Sequence, residues 1–332
     1  ETDGSRTEVR TETVASNLDT PWGVGFDGND LLFTERRGRL KMLNLGSREV
    51  TTLAEVSDTV EAGEGGLLGL ALHPDFPDDE RLYVYQTYRD GGGGLSNRVL
   101  SYTYDGNGVE RADTVLDGIP ASSVHNGGRI AFGPEGYLYV TCGDAAESRK
   151  AQDTGALNGK ILRLEDDGSV PSDNPFGDRN PVFSYGHRNP QGLAFRPRNS
   201  GLYSTEHGPD THDEVNIIEK GGNYGWPVVK GESRREKFVD PVTSYTPTIA
   251  PGSAEFHDGS FYFGALISEH LHRIEFDGSG RDVASQDRLL EDEFGRLRTV
   301  VGKDDALYVT TSNRDGRGTP SSKDDRIIRV EM

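Results

Sequence analysis

One phrase recurs six times along the 332-residue chain, and it restricts the possible folds more than any other feature. Each copy is a short apolar strand, a turn rich in Gly, Asp or Pro, and a second strand. The copies are WGVGFDGNDLLFTE (22–35), LGLALHPDFPDDERLYVYQT (68–87), RIAFGPEGYLYVTCGD (129–144), GLAFRPRNSGLYSTEHG (192–208), SAEFHDGSFYFGAL (253–266) and TVVGKDDALYVTTSN (299–313). Most are followed by a third strand with alternating apolar positions, as in GRLKMLN (38–44), GKILRLEDD (159–167) and DRIIRVEM (325–332). Such strands, rich in Val, Ile, Tyr, Phe and Thr and lacking helical periodicity, indicate an all-β protein. Second strands that start 46 to 64 residues apart predict a six-bladed β-propeller of four-stranded antiparallel blades around a channel. A β-sandwich would account for the strands but not for the sixfold phrase. The expected organisation is a polar N-terminal segment over 1–17 and a single propeller domain over 18–332. The long segments 145–158, 168–187 and 222–252 read as rim loops, where sites gather.

Charge narrows the range of partners. There are 55 Asp plus Glu against 36 Lys plus Arg, a formal charge of −19, spread along the chain. A diffuse field of this sign repels nucleic acid and anionic lipid. No run of about 18 apolar residues is present, so no membrane span is expected, and the polar first 20 residues do not read as an intact signal peptide. A start at Glu1 without Met reads as the mature product of a cleaved precursor. Cys142 stands alone and can form no internal disulfide. The 28 Arg, 8 Lys and 31 Asp suggest a surface that stays hydrated at high salt, hence a halophilic source.

The repeat also locates a site. In a propeller the residues just before each inner strand meet at one mouth of the channel. His125 lies seven residues before Phe132 and Arg188 seven before Phe195; Asn189 and Arg296 lie six before Phe195 and Gly302; Glu64 lies eight before Leu72. Different blades thus send Glu64, His125, Arg188, Asn189, Gln191, Arg296 and Arg298 to one end of the axis. Three arginines converging in so acidic a protein point to an anionic ligand held by planar, bidentate contacts to carboxylate or phosphate. His125 sits in HNGGR, where Gly127 and Gly128 permit close backbone approach. A histidine, with a reference pKa of roughly 6.5, suits proton abstraction near neutrality. Asp144, at the end of the next strand, is placed to orient it. The stretch 204–227 sets Glu206, Asp210, Asp213 and Glu214 near carbonyls exposed by Gly208 and Pro209. That is an oxygen-rich setting suited to Ca²⁺ rather than zinc.

Taken in order, EGGLLGLALHPDF (64–76), HNGGRIAFGPEGYLYVTCGD (125–144), GHRNPQGLAF (186–195), EHGPDTHDEVNIIEKGGNYGWP (206–227) and RLRTVVG (296–302) are specific. From Leu18 to Val330 the chain resembles the soluble aldose sugar dehydrogenases of the glucose/sorbosone dehydrogenase family, which depend on pyrroloquinoline quinone (PQQ). The resemblance implies a six-bladed propeller, in agreement with the repeat count. It makes His125 the base that takes the proton of the anomeric hydroxyl, with Asp144 holding its ring. It assigns Arg188, Asn189, Arg296 and Arg298 to PQQ, the carbonyls of Gly208 and Pro209 to Ca²⁺, and Glu214 and Tyr224 to a further calcium-binding region. An aldose would be oxidised to its lactone, with electrons passing on to an unspecified acceptor, in an extracytoplasmic location. Two positions depart from the family pattern: Glu64 replaces a glutamine, and Ile267 replaces a lysine. A calcium-dependent propeller lactonase and a non-catalytic binding propeller are the alternative readings, because fold alone does not give function.

Overall fold

The structure, a computed structural model, describes residues 9–332. Six antiparallel four-stranded sheets follow one another around an axis. The innermost strands are Pro21–Asp27, Leu67–Leu72, Ile130–Phe132, Pro190–Phe195, Pro251–His257 and Leu297–Lys303, and they open blades 1 to 6 in that order. Each packs against the inner strands of both neighbours, and blade 6 meets blade 1 to close the ring. The close approach depends on glycine. A Cβ on Gly69 would lie 2.3 Å from the Gly128 carbonyl oxygen, and one on Gly252 would lie 2.1 Å from that of Arg298.

Alternation along the strands supplies two apolar faces per blade, and six hydrophobic clusters result. The cluster between blades 1 and 2 holds Leu32, Leu40, Leu70, Leu82 and Val84; that between blades 4 and 5 holds Tyr203, Val215, Phe261 and Phe263. One such cluster lies at each of the six interfaces between neighbouring blades.

Part of the polar N-terminal segment expected over 1–17 contributes to the ring itself. Thr11–Ala15 pairs antiparallel with Ile327–Glu331 as the outermost strand of blade 6, so the fold begins before the expected boundary at residue 18. Glu12 and Thr13 face solvent while Val14 and Ala15 are buried, which is why the strand shows no apolar run. Residues 1–8 of that segment lie outside the described residues. Two expected rim loops likewise contain outermost strands: Val182–Tyr185 within 168–187 and Thr243–Tyr245 within 222–252. At four and three residues they are too short to show periodicity. The segment 145–158 carries a short 3-10 helix, Ser148–Gln152.

Candidate active site

The chain segments that lead into the inner strands converge on a cavity of about 270 Å³ at one mouth of the channel. All seven residues picked out by the repeat phase line it: Glu64, His125, Arg188, Asn189, Gln191, Arg296 and Arg298. Gly208 and Pro209 line it too.

His125 is held in place on both sides. Its backbone has φ 56°, a conformation that side chains other than glycine rarely adopt. Gly127 and Gly128 both take positive φ, and a Cβ on Gly127 would lie 2.5 Å from the Thr141 carbonyl oxygen. His125 Nδ1 is 2.8 Å from Asp144 Oδ1. That carboxylate also accepts the Ala146 amide at 2.9 Å and the Trp226 indole N–H at 2.8 Å. Burial opposes ionisation of Asp144, but the His125 contact, Trp226 and the Ala146 amide outweigh it and hold its carboxyl below the usual range. An ionised Asp144 accepts the Nδ1 proton, so His125 Nε2 is left with a lone pair that can take a proton.

The arginines are anchored unequally. Arg188 Nη1 donates to the carbonyls of His207 and Gly208 at 3.1 and 2.7 Å. Arg296 pairs with Asp315 at 2.9 Å and donates to the Leu266 carbonyl at 2.8 Å. Arg298 contacts Ser312, Gln191 and the same Asp315. Burial pushes Arg298 down to about 10, against the attraction of Asp315, so it stays charged at neutrality. Beneath it, Arg129 is buried over the Trp22 ring at 4.1 Å and donates to the Gln191 carbonyl and to Thr299. Arg129 does not itself line the cavity; burial and the neighbouring Arg298 push it down to about 9, so it too stays charged at neutrality.

Glu64, the departure from the family pattern, is not a bare charge. Burial works against its ionisation, but the His125 amide and the neighbouring His207, Arg317 and His125 prevail and keep its carboxyl low. One oxygen accepts that amide at 2.8 Å, and the other pairs with Arg317 at 2.8 Å. Asn189 braces the same loop by accepting the Gly127 amide at 3.1 Å. Ile267, 55% exposed, lines the rim of the cavity.

In the acidic loop expected to offer a metal site, two carboxylates are already engaged. Both Glu206 oxygens are occupied, by the Arg188 amide and by His187 Nδ1. Asp213 accepts the Gly208 amide with one oxygen and Thr248, Ile249 and Ala250 with the other. These contacts fasten the loop, and Glu206 also borders the smaller of the two spaces beside it. Asp210 lines the main cavity, and Glu214 and Tyr224 border a separate space of about 10 Å³ that shares Gly208 and Pro209 with it. That space has room for about one water or ion. Among the described residues no group of three or more His, Cys, Asp or Glu side chains is arranged as a metal cage. A hard cation here would therefore draw mainly on carbonyl oxygens.

Trp226, His207, Asp315 and Arg317 belong to the site without having been picked out from the sequence. The phase that located Asp144 contained three of them. Asp144 follows the second strand of blade 3, as His207 follows that of blade 4 and Asp315 and Arg317 follow that of blade 6.

A histidine backed by a carboxylate, opening on an arginine-lined cavity in a six-bladed propeller, is an arrangement able to take up a proton beside an anionic ligand. The model of the glucose/sorbosone dehydrogenase family matches residues 18–328, and the chain belongs to that family. It is 33% identical to an aldose sugar dehydrogenase of Escherichia coli, over 93% of this chain and 91% of that protein. It is 36% identical to quinoprotein glucose dehydrogenase B of Acinetobacter calcoaceticus, over 66% of this chain and 52% of that one. The PQQ-bound form of an aldose sugar dehydrogenase from Streptomyces coelicolor superposes with a TM-score of 0.91 at 40% identity, covering 98% of both chains.

Proposed function

We propose that this protein is a PQQ-dependent aldose dehydrogenase that converts the anomeric carbon of an aldose to a lactone. The observation that carries the reading is that the His125–Asp144 pair and Arg188, Arg296 and Arg298 line or adjoin one cavity. The donor set fits PQQ, whose three carboxylates match buried or half-buried guanidinium groups already held at fixed positions. Arg188, Asn189, Gln191, Arg296 and Arg298 would hold it. When bound, that quinone supplies the acceptor for a hydride equivalent from the sugar.

The chain itself handles the proton. His125 Nε2 takes it from the anomeric hydroxyl, and Asp144 stabilises the imidazolium that results through the Nδ1 contact. The Gly208 and Pro209 carbonyls offer hard oxygen ligands that suit Ca²⁺; Glu214 and Tyr224 are candidates for a second calcium position, where Glu214 would have to give up its contacts with the Gly231 amide and Asn216, and Tyr224 its contact with the Ile217 carbonyl. An extracytoplasmic, salt-adapted setting accompanies this reading, supported by the family resemblance and by the Asp- and Arg-rich composition. Activity that is highest without added salt would count against the salt-adapted part.

The test is a titration of metal-stripped protein with PQQ and Ca²⁺, followed by equilibrium dialysis and by dye reduction with glucose and other aldoses. Saturable binding, and activity that needs both additions, is expected. Arg188→Ala should weaken binding of PQQ. A protein that binds no PQQ at any salt concentration overturns the reading.

A further inference from the structure

We propose that Arg317 is a further ligand-binding residue of the cavity, a mobile cation held over the mouth by Glu64 that closes on a carboxylate of the bound cofactor and governs its residence time. The assignment rests on the PQQ reading above. Arg317 comes from the segment between Ala306–Thr311 and Ile327–Glu331 in blade 6, whereas Glu64 precedes Leu67–Leu72 of blade 2. Their ion pair, 2.8 Å between Nη1 and Oε1, therefore spans the mouth past blade 1.

The two partners differ in freedom. The Glu64 side chain is 18% exposed and its second oxygen is tied to the His125 amide, so it is a fixed anchor. The Arg317 side chain is 56% exposed, and among the described residues Glu64 is the sole partner of its guanidinium. Arg188, Arg296 and Arg298 each make two or more contacts that a ligand would have to leave in place. A guanidinium has five N–H donors in a rigid fork, so Arg317 can keep Glu64 and still present donors to a second carboxylate. It also neutralises Glu64, which adjoins the His125 loop from blade 2 and would otherwise repel an anion. An exposed residue that moves onto a ligand already seated in the cavity acts on dissociation more than on entry.

The experiment compares wild type, Arg317→Ala and Arg317→Lys in the full-length protein with Ca²⁺ present. Equilibrium dialysis gives the PQQ affinity, and dilution into excess apo-protein gives the release rate. Loss of one charge-assisted contact predicts affinity about 10- to 100-fold weaker in Arg317→Ala, mostly through faster release. Arg317→Lys should recover part of that, and the thermal midpoint of the cofactor-free variants should stay within about 2 °C of wild type, since exposed ion pairs add little to stability. Wild-type binding with Arg317→Ala unchanged to within about twofold overturns this assignment alone. Failure of the wild type to bind PQQ overturns the proposed function as well.

Discussion

His125 and Asp144 stand 2.8 Å apart, on opposite sides of one hairpin in blade 3, and the contact uses His125 Nδ1 and leaves Nε2 out of it. The pair divides a task between a group that exchanges a proton and one that keeps the charge needed for the exchange. His125→Ala should lower sugar oxidation by about 10²- to 10⁴-fold while PQQ remains bound, since the base contributes to chemistry and the arginines to affinity. Asp144→Asn should fall in the same range. Steady-state dye reduction beside direct PQQ binding checks both, and equal losses in the two readouts would contradict the division.

Trp226 reaches the same carboxylate from the loop after blade 4's third strand, donating its indole N–H to Asp144 Oδ2 at 2.8 Å. Phenylalanine keeps most of the ring and removes that donor. The Asp144 carboxyl should then rise toward the ordinary range, and the acidic limb of the kcat/KM pH profile should move to higher pH. An expected drop in kcat of about tenfold corresponds to one lost charge-assisted hydrogen bond. An unmoved pH profile would mean that Trp226 only fills space.

Blade 5 carries a buried histidine pair, with His270 Nε2 2.9 Å from His272 Nδ1 and His272 stacked on Phe263. Burial, with His270 and Arg288 adding to it, pushes His272 down to about 4, against the Gln286 contact. In the unfolded chain an ordinary imidazole takes up its proton near pH 6.5. Between those values the unfolded chain binds the extra proton, so stability falls as pH drops from about 6.5 to about 4. Thermal midpoints across that window should fall less steeply in His272→Gln than in wild type. Parallel slopes would remove His272 from the account.

The ring is closed by Thr11–Ala15 on Ile327–Glu331, with Thr11 opposite Val330 and Thr13 opposite Ile328. Deleting residues 1–15 would strip Val14 and Ala15 from the cluster containing Leu31, Phe33 and Ile327 and leave a bare strand edge. Loss of the Val14 burial and the strand's hydrogen bonds should cost at least roughly 3 kcal/mol. Calorimetry together with sedimentation should show a lower midpoint and self-association. A truncated protein that melts like wild type would show that blade 6 does not need its fourth strand.

The number of blades is written in the repeats, because a phrase that alternates apolar residues across two strands can bury them only by stacking against copies of itself. The same repeats mark the residues at the mouth: a position counted from the end of an inner strand occupies the same height in every blade, so His125, Arg188, Arg296 and Glu64 were legible by phase alone. Short or half-exposed strands such as Thr11–Ala15 and Thr243–Tyr245 were not, because their apolar residues are too few to make a period. Which charges are already satisfied emerges from the folded chain alone. Glu206 and Asp213 look like metal ligands as letters but are occupied by backbone amides, His187 and Thr248, while Glu64 is paired by Arg317 from four blades further along the chain. Whether a carboxylate is free depends on distances of a few ångströms between segments far apart in sequence, and closure of the ring is what sets those distances.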